Sequence, residues 1–140
     1  MYGKILVALD GSEASNKALR AALELGRLHA ATLHALGVEE RLPHFAATVG
    51  EVQEAKQELD SFFGQVMEVA RAAAAQRGVE LTTEMRAGNA AHQIVEVARE
   101  GQFDLIALGA KGHSRIRDFL LGTTSDRVSH HAPCSVLVVR

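Results

Sequence analysis

Short strand-like runs alternate with stretches of helical periodicity along almost the whole chain, and few folds accommodate that order. Ile5-Leu6-Val7-Ala8-Leu9 is a continuous apolar run, as expected of a strand buried on both faces. It stops at Asp10-Gly11-Ser12, residue types suited to a turn and a helix cap. Ala18, Leu19, Ala22, Leu23 and Gly26 then recur at helical spacing to about His29, and a second strand is expected from Ala31 to about Val38. Such a strand–helix–strand unit defaults to a right-handed parallel crossover.

The alternation continues. Residues Glu39 to Gly50 contain Pro43 and read as a loop, followed by a helix from about Glu51 to Gln76 with the stripe Leu59, Phe62, Phe63, Val66, Ala70 and Ala73. Gly78 stands where a helix C-cap glycine belongs. Val79 to about Arg86 alternates partly in polarity, which suits an edge strand. Gly88-Asn89 opens a helix with Ala91, Ile94, Val95 and Ala98 on one face, closed by Gly101. Phe103 to Leu108 reads as a strand ending at Gly109, Gly122 to about His131 as a helix stopped before Pro133, and Ser135 to Val139 as a last strand. Five strands alternating with four helices predict a doubly wound, open parallel α/β sheet of Rossmann-like type.

At 140 residues the chain suits one domain, 1–140. A net charge of −2, from 15 basic and 17 acidic residues, lacks the basic footprint of a nucleic-acid binder. One cysteine, Cys134, excludes an intramolecular disulfide and a cysteine-only metal cage. The N-terminal apolar run is too short for a signal peptide, and no run approaches the roughly 18 apolar residues of a membrane span. These readings predict a cytoplasmic protein with no membrane partner.

In open α/β sheets, ligands gather beyond the carboxyl ends of the strands where strand order reverses. The positions to question are therefore Asp10 after strand one, the region near Ala35 in strand two, and Gly109 after strand four. From position alone, Asp10 is equally a sugar-binding carboxylate or a helix-capping one. Gly109-Ala110-Lys111-Gly112 is followed after nine residues by Gly122-Thr123-Thr124. Glycines let backbone N–H groups approach a ligand, and a helix start at Gly122 would favour an anion. The two threonine hydroxyls add donors, or could face a metal ion carried on a phosphate. Neither G-x-x-x-x-G-K-[ST] nor G-x-G-x-x-G is present. As bare glycines, these residues serve turns and caps equally well.

Two terminal motifs add a resemblance. Lys4-Ile5-Leu6-Val7-Ala8-Leu9-Asp10-Gly11-Ser12 resembles the opening of the universal stress protein family. Gly109-Ala110-Lys111-Gly112, Leu120-Leu121-Gly122-Thr123-Thr124 and His131-Ala132-Pro133-Cys134-Ser135-Val136-Leu137-Val138-Val139 resemble its other hallmark, with the spacing G-x2-G-x9-G-[ST]. The resemblance spans essentially the whole chain. It implies strand order 3-2-1-4-5, which sets Asp10 beside Gly109, and a homodimer through the C-terminal strand. It also implies bound ATP, ADP or AMP, with Mg²⁺ reachable through Thr123, Thr124 and the phosphates. Asp10 would meet the ribose, the Ala35 backbone the adenine, and Gly109 the ribose border. Gly112, His113, Gly122, Thr123 and Thr124 would cradle the phosphates. Ser135 replaces a proline common after the family's Pro-Cys pair, restoring an N–H donor at the start of the last strand.

Other residues have ordinary readings. His130 and His131 are adjacent and point about 100° apart on a helix, unlike the i, i+4 pair that grips zinc. Cys134 reads as a buried cysteine before a core strand. Lys111, Arg115 and Arg117 either screen phosphates or lie exposed beside Asp118. No group stands out to orient an attacking water or stabilise developing charge. The leading expectation is a nucleotide-binding stress-response regulator, read by a downstream protein partner through loop or dimer conformation. The alternatives are a slow ATPase or phosphoryl-transfer enzyme using the same site, and a nucleotide-free dimeric interaction protein.

Overall fold

The computed structural model describes residues 1–40, 48–111 and 122–140. The elements run β1 (Lys4–Ala8), α1 (Glu13–His29), β2 (Thr32–Glu39), α2 (Val49–Gln76), β3 (Leu81–Ala87), α3 (Ala90–Glu100), β4 (Leu105–Gly109), α4 (Thr123–His131) and β5 (Ser135–Val139). The five strands form one parallel sheet in the order β3-β2-β1-β4-β5. Order reverses between β1 and β4, where Val7 pairs with Ala107. The expected alternation and the expected order are both present.

Strand geometry sends alternate side chains to opposite faces, and the two faces build two cores. Ile5, Val7, Leu33, Ala35, Leu105 and Ala107 meet Ala18, Leu19, Ala22 and Leu23 of α1 and Met67, Ala70 and Ala74 of α2. Leu6, Leu36, Ile106 and Leu108 meet Ala91, Ile94, Val95 and Ala98 of α3 and Val128 of α4. Two-sided burial explains why β1 and β4 read as continuous apolar runs. β3, at the sheet edge, keeps the mixed polarity its sequence shows.

Several boundaries shift by one or two residues from the sequence reading, among them the start of β3 (Leu81) and of β4 (Leu105); two have a clear cause. α2 begins at Val49 rather than Glu51, because Thr48 caps it: Glu51 N–H donates to Thr48 Oγ1 (3.1 Å) and Thr48 N–H to Glu51 Oε2 (3.3 Å). This reciprocal pair is a capping box. At the other end, Gly78 N–H donates to Ala75 O and Val79 N–H to Ala74 O, the paired bonds of a Schellman turn. β2 extends to Glu39 because β3 pairs with it all the way to Glu39–Ala87. Among the described residues, no helix is long and apolar enough to cross a membrane.

Candidate functional site

A cavity of about 620 Å³ opens at the carboxyl ends of β1 and β4, within the usual size range of small-molecule sites. Leu36, Val38, Leu59, Phe62 and Ile94 give it apolar walls; Asp10, Ser12, Lys111, Thr123 and Thr124 supply polar groups. Gly109 and Gly122 border it too. Asp10, Gly109, Gly122, Thr123 and Thr124 are therefore brought together, as the switch-point argument requires. Gly112 and His113 lie outside the described residues, as do Arg115, Arg117 and Asp118.

Two of the helices that start at this rim, α1 and α4, do so differently. α1 is closed by its own side chains: Ser12 Oγ accepts from Ser15 N–H (3.1 Å), and Asp10 Oδ1 accepts from Ser12 N–H (2.9 Å). The N-cap is thus Ser12, and Asp10 closes the turn before it. Gly11 sits between them at φ +81°, a conformation that suits glycine. A Cβ there would also lie 2.3 Å from Phe62 Cζ.

α4 has Gly122 at its N-cap and, among the described residues, no side-chain cap hydrogen bond. Gly122 N–H donates to Ala110 O (2.7 Å), and Asp126 N–H to Gly122 O (3.0 Å). The N–H groups of the first turn, at Thr123 and Thr124, border the cavity at the positive end of the helix. Those donors fit a phosphate: oriented backbone N–H groups and two hydroxyls, with Lys111 on the same wall.

The glycines themselves have packing reasons. A Cβ on Gly109 would come within 2.7 Å of Ala14 Cβ and 2.8 Å of Ala14 C, so glycine lets α1 sit close on β4. A Cβ on Gly122 would come within 3.0 Å of Ala110 O and 3.3 Å of Lys111 Cα. Their spacing thus describes how α1 and α4 approach the end of β4, and the ligand chemistry rests on the helix start they permit.

Ala35 is not among the residues that line the cavity. It is fully buried in mid-strand, paired with Val7 and Thr83, and packs into the α1–α2 core. Because β2 continues to Glu39, its carboxyl end lies beyond Ala35, and Leu36 and Val38 line the cavity instead. Phe62 departs from the expected stripe. The buried stripe of α2 is Phe63, Met67, Ala70 and Ala74, while Phe62 is 42% exposed and turned to the cavity and Gly11.

Charge at the rim is partly balanced. Lys56 bridges Glu39 (3.2 Å) and Asp60 (3.4 Å), and its hydrogen bond to Glu39 is the main cause holding its pKa above the usual lysine value. Outside the cavity, Glu84 lies between Arg86 (2.5 Å) and His34 (2.8 Å). Arg86 first, and His34 after it, keep its carboxyl below the ordinary range despite the opposing effect of burial. Cys134 is partly buried, and loss of hydration pushes its thiol pKa up. Among the described residues, no three His, Cys, Asp or Glu side chains group to hold a metal ion.

These features define a doubly wound α/β protein with a cavity at its switch point and, among the described residues, a helix start without a side-chain cap on the cavity wall. A sequence model of the Universal stress protein family matches residues 1–140, and the chain belongs to that family. It is 35% identical to the universal stress protein YxiE of Bacillus subtilis, with 100% of each chain covered. Among solved structures it resembles the universal stress protein UspA of Lactobacillus plantarum at 30% identity and TM-score 0.85, covering 99% of this chain and 98% of that one. Two more distant structures share the fold. One is a universal stress protein in complex with cAMP (22% identity, TM-score 0.77, 99% and 97% covered). The other is a family protein from Arabidopsis thaliana with AMP bound (17% identity, TM-score 0.71, 98% and 90% covered).

Proposed function

We propose that this protein binds an adenine nucleotide (ATP, or ADP or AMP) in the switch-point cavity and acts as a regulator in a stress response. The observation that carries the reading is the start of α4, which presents N–H groups without a side-chain cap among the described residues to a cavity that also has an apolar wall of Leu36, Val38 and Ile94. An anionic group belongs at the first and a flat apolar group against the second. A nucleotide has both. The cAMP and AMP found in related structures support the adenine class.

In this reading the phosphates lie at Gly122, Thr123 and Thr124, with Gly112 and His113 completing the cradle. Mg²⁺, when carried on the phosphates, would meet the Thr123 and Thr124 hydroxyls. Asp10 takes the ribose beside Gly109; a carboxylate accepts several hydrogen bonds, so the one from Ser12 is compatible with that role. The base lies against Leu36, Val38 and Ile94. Ala35, one residue behind that wall, acts only through its backbone.

The bound state would be read by a downstream protein through the conformation of the 109–122 segment or of a dimer. β5 supports a homodimer as the second output. It is an edge strand, and Val136, Leu137, Val138 and Val139 all remain partly exposed. Parallel edge strands with apolar side chains seldom stay uncovered.

The test is to purify the protein under native conditions, denature a portion and identify any small molecule released, then titrate a nucleotide-stripped portion with ATP. An adenine nucleotide in the released fraction, and a rise in melting temperature with millimolar ATP that Gly122→Val abolishes, are expected. No nucleotide and no thermal shift would end this reading.

A further inference from the structure

Ala110 is the fixed point of the site. Its N–H donates to Val139 O at the end of β5 (2.8 Å), and its carbonyl accepts two donors from α4. One is Gly122 N–H (2.7 Å); the other is the hydroxyl of Ser125, also at 2.7 Å. Ser125 Oγ lies 3.1 Å from Gly122 O as well, but a hydroxyl has a single proton and the shorter contact takes it. Ser125 is 2% exposed, a buried polar side chain inside the first turn of α4.

Serine in a helix commonly bonds back to its own helix. Here the shorter bond leaves the helix and reaches the exit of β4. Without it, the start of α4 would be tied to Ala110 through Gly122 N–H alone, one bond about which the helix can rock. A phosphate at Thr123 and Thr124 needs those N–H groups aimed within a few tenths of an ångström, because hydrogen bonds weaken steeply off-line. One turn further on, Val128 is fully buried against the sheet and holds the other end of the lever.

We infer that Ser125 is a positioning residue of the nucleotide site, locking the first turn of α4 onto Ala110 so that its N–H groups converge on the phosphates. The inference rests on the nucleotide reading above. Ser125 borders the cavity too, but its hydroxyl proton is held by Ala110 O, so its effect is assigned through Ala110 and Gly122 rather than to a bond with the ligand.

A positioning role for phosphate must separate phosphate from base. The experiment measures dissociation constants of ATP and adenosine by calorimetry for the wild type, Ser125→Ala and Ser129→Ala. Ser129 gives the control. Its hydroxyl bonds Ser125 O at 2.7 Å within the same helix, and it is not among the residues that line the switch-point cavity. Ser125→Ala should weaken ATP about tenfold, the order expected for a lost buried hydrogen bond, and adenosine less than twofold. Ser129→Ala should leave the ratio of the two constants unchanged. If Ser125→Ala weakens both ligands equally or neither, or if Ser129→Ala moves the ratio as far, Ser125 is only part of the helix and the inference is overturned. A wild type that binds neither ligand overturns the nucleotide reading and this inference together, whereas normal wild-type binding with an unmoved ratio removes the inference alone.

Discussion

Two helices begin at the same rim of the sheet, on either side of the point where strand order reverses, and their first turns are built in opposite ways. α1 leaves β1 with a side-chain cap, Ser12 Oγ accepting from Ser15 N–H, and with Asp10 closing the turn before it. α4 begins at Gly122 with no side chain of the described residues capping its first turn. α2 and α3, whose N-termini are capped by Thr48 and Asn89, follow the pattern of α1. A helix that caps itself has used the donors an anion would need. In the proposed reading, that difference separates the helix start that serves structure from the one that serves a ligand.

The comparison breaks most severely if α4 is made to resemble α1. Gly122→Asp places a carboxylate at the N-cap, where it competes with phosphate for the same N–H groups and repels it. ATP affinity should fall about 100-fold, or roughly 2.7 kcal/mol, measured by calorimetry. The new Cβ, 3.0 Å from Ala110 O, forces a small shift, so folding is to be followed by circular dichroism in parallel. If the Gly122→Asp protein binds ATP as the wild type does, the phosphates lie elsewhere.

Damage on the α1 side should appear as lost stability instead. Gly11→Ala forces a side chain into a left-handed backbone at φ +81° and against Phe62. The cost should be about 2 kcal/mol in urea unfolding, most of it backbone strain. Phe62 has to turn away from the cavity, so adenosine and ATP should weaken by the same factor. Loss of ATP alone would contradict the placement of Phe62 on the base side. Ser12→Ala, which removes the cap and leaves the backbone unstrained, should cost about 1 kcal/mol of stability. ATP affinity should change less than threefold, well short of the loss from one hydrogen bond to a charged group.

Much of this architecture is legible in the order of residues alone. The apolar runs Ile5–Leu9 and Leu105–Leu108 mark central strands because both their faces are covered. The α1 stripe Ala18, Leu19, Ala22, Leu23 and Gly26 is buried throughout. The start of α2 is also written there, as Thr48-Val49-Gly50-Glu51, a capping-box pattern that reading 39–50 as loop passes over. What the sequence does not carry is the direction of side chains at the margin of a stripe. Phe62 lies one position off the buried row of α2, and only the place of Gly11 decides that it faces the cavity. The place of Ala35 is not readable for the opposite reason: which residues of β2 reach the cavity depends on its register with β1 and β3, set by contacts between residues nearly thirty and fifty positions apart. Ser125 carries no signal of its own, because a serine three residues into a helix is ordinary until its partner across the turn is known.

The smallest expected effect sharpens the comparison furthest. Thr123 is the first residue of α4 and exposed, so its hydroxyl is hydrated when no ligand is bound. A hydroxyl that exchanges water for phosphate gains little, whereas backbone N–H groups held by the helix are aimed before the ligand arrives. Thr123→Ala keeps every N–H and deletes the hydroxyl, and ATP affinity should fall only about threefold, some 0.7 kcal/mol. Repeating the titration without Mg²⁺ separates the two uses of that oxygen: if the hydroxyl serves the metal, the threefold difference disappears when Mg²⁺ is removed. A loss as large as that of Gly122→Asp would instead make the threonine hydroxyl the principal ligand. The missing side-chain cap on α4 would then be incidental, and the contrast between the two helix starts would no longer locate the site.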